Sequence, residues 1–286
     1  MIPPGARPVS AVEQERRVHR RRQGIRSVLI SLASTVALAV VVWFALVNTP
    51  GWARVQQSFF DPDVLIASLP RVWDGFLLNL RVLAATAVLV LVLALLLAAV
   101  RTLRGPVWLP LRALAAGYTD LFRGLPLIIV LYLVGFGIPG LDLIPERLPY
   151  EFWGTIALTL TYSAYVSEVF RAGIDAVHPS QRQAARSLGL SHAKTMRLVV
   201  IPQAVRKVTP ALMNDLVALQ KDVGLVSVLG AVDAVRAAQI QTAAFFNFTP
   251  YVLAGLLFVL LAIPTIRLTD WYTARVRERE QIGGVV

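Results

Sequence analysis

The 286-residue chain has no cysteine, which excludes disulfides, thiolate catalysis and Cys-ligated metals. Its three histidines, His19, His178 and His192, share no spacing that would bring them to one metal. There is no GxxxxGK[ST] run, so the chain lacks the phosphate loop with which many proteins bind and hydrolyse ATP. Charge is scarce: 16% of residues are charged against 56% hydrophobic. A soluble domain cannot bury that proportion of apolar surface, so the solvent is lipid. Acid is scarcer still, with 17 acidic residues against 28 basic ones and a net charge of +11. A basic excess fits either nucleic acid or an anionic membrane surface, and the positions of the charges decide between them.

Residues 1–27 are polar and basic, with Pro3, Pro4 and Pro8 ahead of Arg16, Arg17, Arg20, Arg21, Arg22 and Arg26. The first dozen read as disordered. Val28–Val47 holds 20 residues without a charge, enough to cross about 30 Å of hydrocarbon as a helix. It exceeds a signal-peptide core and no A-x-A-like site follows, so it reads as a retained first span. Residues 48–75, with Pro50, Gly51, Pro62 and Pro70, read as an exposed loop. A second span centres on Val82–Val100. Leu111, Leu114, Ala115, Tyr118, Leu121 and Phe122 then recur at helical spacing, predicting an interfacial helix into the third span. That span, Leu125–Ile138, has only 14 charge-free residues and a helix-breaking entrance at Arg123, Gly124 and Pro126. A broken helix at membrane depth survives where protein or a wet cavity covers the freed backbone, which makes these three residues pathway candidates.

A Pro-rich loop over 139–149 leads to the fourth span, Phe152–Phe170, whose Thr, Ser and Tyr residues suit hydrogen bonds to neighbouring helices. Glu168 and Arg171 stand three apart, close enough to pair on a helix. The fifth span, Val208–Gly230, is interrupted by Asn214, Asp215, Gln220, Lys221 and Asp222. Polar and ionisable groups at that depth are functional candidates. The sixth, Pro250–Ile266, precedes a basic tail. The expected fold is an all-α polytopic membrane protein of about six spans. Segments 1–27, 101–112, 171–207 and 267–286 hold 21 Lys and Arg, whereas 48–75, 138–151 and 232–249 hold 4. That bias predicts both termini and the 171–207 loop in the cytoplasm and accounts for most of the basic charge without nucleic acid.

One stretch of that loop, Ser180–Pro202, is polar and full of helix signals. Ser180 with Gln183 three residues on matches a capping box. Gly189 suits the left-handed position that closes a helix. Ser191 can cap a second helix bearing Ala193, Met196 and Val200 on one face, and Pro202 is expected to end or kink it. Ala184 and Ala185 offer a small-residue surface that a second protein can approach closely, with Arg182 and Arg186 as charged contacts and Leu188 at the helix end. A DNA-reading helix-turn-helix is a rival form of the same pattern, but such a module needs a third helix to close its core.

The stretch also resembles the cytoplasmic signature of membrane permease subunits from bacterial ATP-binding-cassette importers of polar amino acids. That signature reads E-A-A, three residues, G, nine residues, I-x-L-P. It falls on Gln183, Ala184, Ala185, Gly189, Val199, Ile201 and Pro202, with glutamine in place of glutamate and other aliphatics for isoleucine and leucine. Residues 164–174, AYVSEVFRAGI, are similar to the family's AYxAEIFRGGI, and FRGLPL at 122–127 to its FRGTPL. LQKDVGL at 219–225 departs from SLLKDTSL in having valine and glycine for threonine and serine.

The resemblance covers roughly residues 75–275 and implies a five-span importer core with one added N-terminal span. Its expected organisation is a basic segment over 1–27, the extra span and periplasmic loop over 28–75, a transmembrane domain over 76–273 with its coupling loop at 178–205, and a tail over 274–286. It implies a bacterial inner-membrane permease that catalyses nothing itself and holds no cofactor, since ATP is bound by partner ATPase subunits. It further implies a homodimer or a heterodimer with a homologous permease, and a periplasmic or lipid-anchored amino-acid-binding protein. An ion-coupled secondary transporter using Asp215, Lys221 and Asp222 is the alternative transport class.

Overall fold

The computed structural model describes residues 11–103, 105–142 and 148–283, and every regular element among them is helical. Residues 1–10 of the basic segment, 143–147 of the Pro-rich loop and 284–286 of the tail lie outside the described residues. The chain divides into two compact units between Gln57 and Ser58. The first carries α1 (Ala11–Val47), within which Gln23–Ala45 is long and apolar enough to cross a membrane.

A short α2 (Trp52–Phe59) leads to α3 (Pro62–Thr102), so much of the segment expected as a loop over 48–75 is helical. Asp61 caps α3 by accepting from the Asp63 and Val64 N–H groups, at 3.0 and 3.2 Å. Pro62 occupies the first turn, where a missing N–H costs nothing. Pro70 is carried inside the helix because Val72 and Phe76 pack against Ala234, Ala237 and Leu253. Tertiary packing here overrides a local breaker.

The chain continues through α4 (Leu109–Gly124), bends by 108° at Leu125–Pro126, and resumes as α5 (Leu127–Tyr132) with a π turn over Leu133–Gly137. The interruption expected at Gly124 and Pro126 is therefore present. Next comes α6 (Tyr150–Asp175), the helix around which α3, α4 and α9 (Ile201–Asp222) pack. Its Leu158, Tyr162 and Val166 meet Val82 and Val90 of α3 and Leu219 of α9 in one apolar cluster. A 3-10 segment (Val223–Leu229), α10 (Ala234–Phe245) and α11 (Thr249–Gly283) complete the bundle.

Among the described residues, three stretches are long and apolar enough to span: Gln23–Ala45, Trp52–Thr102 and Thr249–Val276. Two bent pairs, the α4–α5 break and a 55° bend between His192–Leu229 and Ala234–Phe245, raise the number to five. The other expected span is α6, whose 26 residues reach about 39 Å but whose hydroxyls lower its hydropathy. The serine and threonine hydroxyls mostly serve their own helix. Thr155, Thr159, Ser163 and Ser167 donate to carbonyls three or four residues back. The expected links between helices come from tyrosines and from Ser163, whose hydroxyl pairs with that of Tyr118 at 2.8 Å. Tyr118 donates to the Leu160 carbonyl at 2.8 Å, Tyr162 to Asp222 Oδ2 at 2.7 Å, and Tyr165 to the Arg123 carbonyl at 3.2 Å.

A buried polar knot fixes the other side of the bundle. Asn79 of α3 donates to the Val223 carbonyl (3.2 Å) and Asp233 Oδ2 (3.0 Å), and accepts from the Ala234 N–H (3.0 Å). Asp233 in turn caps α10 through the Arg236 N–H at 2.9 Å. Each such group left unpaired in a buried site costs about 1–3 kcal/mol, so the knot specifies how α3 meets the 3-10 segment and α10.

Candidate coupling loop and pathway

Three aliphatics, Val177, Val200 and Ala204, form a small core beneath the loop, flanked by Ile174 and Met196. On it sits α7 (Pro179–Ser187). The N-cap is His178 and not Ser180: its Nδ1 accepts the Ser180 N–H at 3.2 Å and pairs with the Ser180 hydroxyl at 2.7 Å. Pro179 causes the shift, since its fixed φ suits the first helical position and moves the start back by one residue. Gly189 has φ +80°, and the Gly189 and Leu190 N–H groups close the helix onto the Arg186 and Ala185 carbonyls at 3.0 and 3.2 Å. That paired closure needs the left-handed conformation glycine adopts at little cost.

Ser191 then caps α8 (His192–Thr195), accepting from the Lys194 N–H at 3.4 Å. Met196 and Val200 face the small core as expected, but Ala193 is exposed and Thr195 is buried. Nor does Pro202 end the helix. A π turn over Met196–Val200 precedes it, and α9 runs on with Pro202 in its first turn. The wider turn re-routes the backbone bonding where a proline lacks its N–H. No third helix closes a DNA-reading core, because α8 passes directly into α9.

The loop is tied down and also presents a free face. Arg182, expected to point outward, instead donates to the Ile174 carbonyl, and Lys207 donates to the Ala176 carbonyl at 2.8 Å. Both bonds engage carbonyls at the end of α6, where cations are favoured. Ala185 is only 4% exposed, so it faces its own chain. Ser180, Gln183, Ala184 and Arg186 are exposed, Val199 is half-buried, and Ile201 and Pro202 are exposed. Leu188, at the tip, is 81% exposed.

Beside the loop lies a charged junction that the sequence showed only in part. Glu168 receives Arg171 Nε and Nη2 at 3.0 and 2.8 Å, as its spacing predicts. It also receives Arg101 of α3, which donates to Thr119 of α4 at 3.1 Å, while Arg123 of α4 lies 4.0 Å from its second oxygen. One carboxylate thus joins three helices. Arg123 sits at this junction, over the Tyr165 ring at 5.9 Å, with Gly124 and Pro126 at the bend beside it.

The polar residues of α9 separate by direction. Asn214 and Lys221 are exposed. Gln220 is buried and donates to Thr265 of α11 at 2.9 Å, which makes it a link between helices. Asp222 accepts from Tyr162. Asp215 and Tyr162 line a largely apolar cavity of about 310 Å³ with Leu212, Leu216 and Leu219, and Asp215 Oδ2 has no hydrogen-bond partner there. Asp215 and Tyr162 thus stand in an apolar wall, the Tyr162 hydroxyl engaged by Asp222. Tyr162 makes the link to a neighbouring helix that the polar face of the fourth span predicts; its place in a cavity wall depends on the fold and carries no positional signal.

The bundle combines apolar helices of spanning length, two of them in bent pairs, with a capped two-helix loop on its own small core, the make-up of a membrane transport subunit. The chain belongs to the family described as binding-protein-dependent transport system inner membrane component, whose model matches residues 93–278. The family places it as a multi-pass component of the inner membrane and implies an ATPase and a substrate-binding protein as partners. It is 34% identical over 207 residues to the arginine transport system permease protein ArtQ of Bacillus subtilis, covering 71% of this chain and 91% of that one. Among solved structures it is similar to an amino acid ABC transporter crystallised with histidines, at 31% identity and a TM-score of 0.67, covering 73% of this chain and 96% of that one. An inward-facing methionine ABC transporter, MetNI, shares the fold at 20% identity and a TM-score of 0.55, covering 74% and 97% of the respective chains.

Proposed function

We propose that the chain imports a polar amino acid across the inner membrane and that a partner ATPase drives it through the loop Ser180–Pro202. The observation that carries this reading is the loop itself: two capped helices held on their own small core, with an apolar Leu188 left 81% exposed at the tip. Exposed apolar side chains on a rigid, basic loop, with Leu198 and Ile201 exposed besides Leu188, suit insertion into a cleft of another protein. The bias of 21 basic residues to 4 supports a cytoplasmic loop and cytoplasmic termini. The chain binds neither ATP nor any other cofactor in this reading; nucleotide chemistry belongs to the ATPase pair. Two permease subunits, identical or homologous, stand side by side, each comprising the bundle from α3 to α11, with α1 as an added span. Asp215, in the wall of the cavity with one oxygen unpartnered, supplies a carboxylate suited to a substrate ammonium group, and the arginine and histidine of the two relatives are consistent with that chemistry.

Co-purification tests the reading. The tagged chain, extracted in mild detergent, is expected to bring down a P-loop ATPase, and its binding protein is expected to yield an amino acid by mass spectrometry. An isolated chain without an ATPase under several detergents, or a binding protein carrying a sugar or a metal, would overturn the corresponding half.

A further inference from the structure

A second cavity, of about 420 Å³, lies between α9 and α11 away from the loop tip and the pathway. Its lining includes Gln203, Arg206, Lys207, Trp271, Tyr272 and Arg275. Three cations line it and, among the described residues, no carboxylate does; Asp270, next to Trp271 in sequence, lies outside the lining. The Arg275 guanidinium stands 4.5 Å over the Trp271 ring, which holds a flexible side chain in place. Lys207 gives one donor to the Ala176 carbonyl and keeps two for a ligand. Amide, phenol and indole groups add further donors, so the cavity is built to receive an anion with several acceptor oxygens.

Its place in the bundle says what carries that anion. The apolar run of α11 ends at Ile266, and Trp271 and Tyr272 follow within two turns, the aromatic position typical of a membrane–water boundary. On the membrane side of the cavity, Leu260, Pro264 and Leu268 of α11, four residues apart on the row that continues to Tyr272, are exposed, the two leucines at 64% and 54%. A ligand with an anionic head and long apolar tails matches both parts, whereas a soluble anion uses only the first.

We infer that this cavity binds the phosphate headgroup of an anionic phospholipid, with the acyl chains along the apolar face of α11. Its assignment to the inner leaflet rests on the orientation proposed above; the binding does not. The site ties the ends of α9 and α11 to the lipid surface beside the coupling loop.

The test uses the permease–ATPase complex in detergent, with retained phosphatidylglycerol and phosphatidylcholine counted by native mass spectrometry. The wild type is expected to retain phosphatidylglycerol selectively. Arg206→Gln with Arg275→Gln is expected to weaken retention roughly 30-fold, and Arg206→Gln alone about 5-fold, from the usual contribution of one basic residue near an anionic surface. Arg267→Gln, an equal charge change outside the cavity, is expected to retain the lipid. Equal retention in wild type and variants, equal loss in the Arg267 control, displacement by inorganic phosphate, or expulsion of the lipid when the ATPase binds would each overturn the assignment. Orientation is read separately. Arg275→Cys, the sole thiol, is expected to react with an impermeant maleimide in inverted vesicles and not in intact cells; the reverse would place the site in the outer leaflet and overturn the orientation alone.

Discussion

Ala184→Trp is expected to leave the permease folded and inserted while weakening its hold on the ATPase about tenfold or more, the usual scale for a lesion at the centre of an interface. The expectation depends on a difference between two adjacent alanines. Ala184 is exposed on the free face of α7, whereas Ala185, 4% exposed, packs against its own chain. An indole at 184 meets nothing within the permease, and its cost falls on whatever docks there. At 185 the same indole has to displace the chain itself, so Ala185→Trp is expected to lower the thermal unfolding midpoint. Leu188→Asp gives a third comparison: at 81% exposure a charge there costs the fold little, within about 0.5 kcal/mol, but it places a carboxylate in the proposed cleft. The expected pattern is an unchanged midpoint for the 184 and 188 variants, loss of co-purified ATPase, and ATP hydrolysis that no longer responds to substrate-loaded binding protein. Full coupling in both variants would mean that the loop docks elsewhere.

Gly75→Ala is expected to destabilise the bundle severely, by about 3 kcal/mol or more. A Cβ at position 75 would stand 2.4 Å from the Asp233 carbonyl carbon, 2.5 Å from its oxygen and 2.6 Å from the Ala234 nitrogen. All three are backbone atoms at the start of α10, which cannot move aside by changing a rotamer. One turn further along α3, Asn79 bonds the same Asp233 and Ala234. Separating the helices to admit a methyl group would therefore strand buried donors and acceptors as well. Helices in lipid have no hydrophobic drive toward one another and depend on such close approaches between small residues. Thermal unfolding in detergent checks this, with Gly117→Ala as the control. No atom lies within 4 Å of a Cβ at 117, so that change is expected to be neutral or stabilising by up to about 1 kcal/mol.

What the sequence revealed and what it hid follow from the range of the forces involved. The all-helical class, the first span and the break at Gly124–Pro126 are written in apolar runs and a local breaker, and they stand in the structure. Gly189 was legible for the same reason, since a left-handed turn is a property of one residue. Pro62 and Pro70 misled because their effect depends on position: one falls in a first turn, and the other is held by packing against α10 and α11, which lie more than 150 residues away. Pro179 likewise handed the cap from Ser180 to His178. The Glu168–Arg171 pair was visible from its spacing, whereas Arg101 and Arg123 reach the same carboxylate only through the fold. Polarity marked Asn214, Asp215, Gln220, Lys221 and Asp222 together, but direction divides them into exposed, cavity-lining and helix-linking groups. Direction belongs to the packing of α6, α9 and α11 and has no signature in a single chain.

The central claim is that an ATPase docked on Ser180–Pro202 powers uptake through this bundle. Proteoliposomes holding the permease with its ATPase, given binding protein and labelled amino acid on the outside, test it most directly. The account predicts accumulation that requires ATP on the loop side, survives collapse of ion gradients by ionophores, and disappears with Leu188→Asp. Accumulation that proceeds without ATP, falls with the ion gradient and is indifferent to Leu188→Asp would contradict it, and would point to ion-coupled transport through Asp215, Lys221 and Asp222.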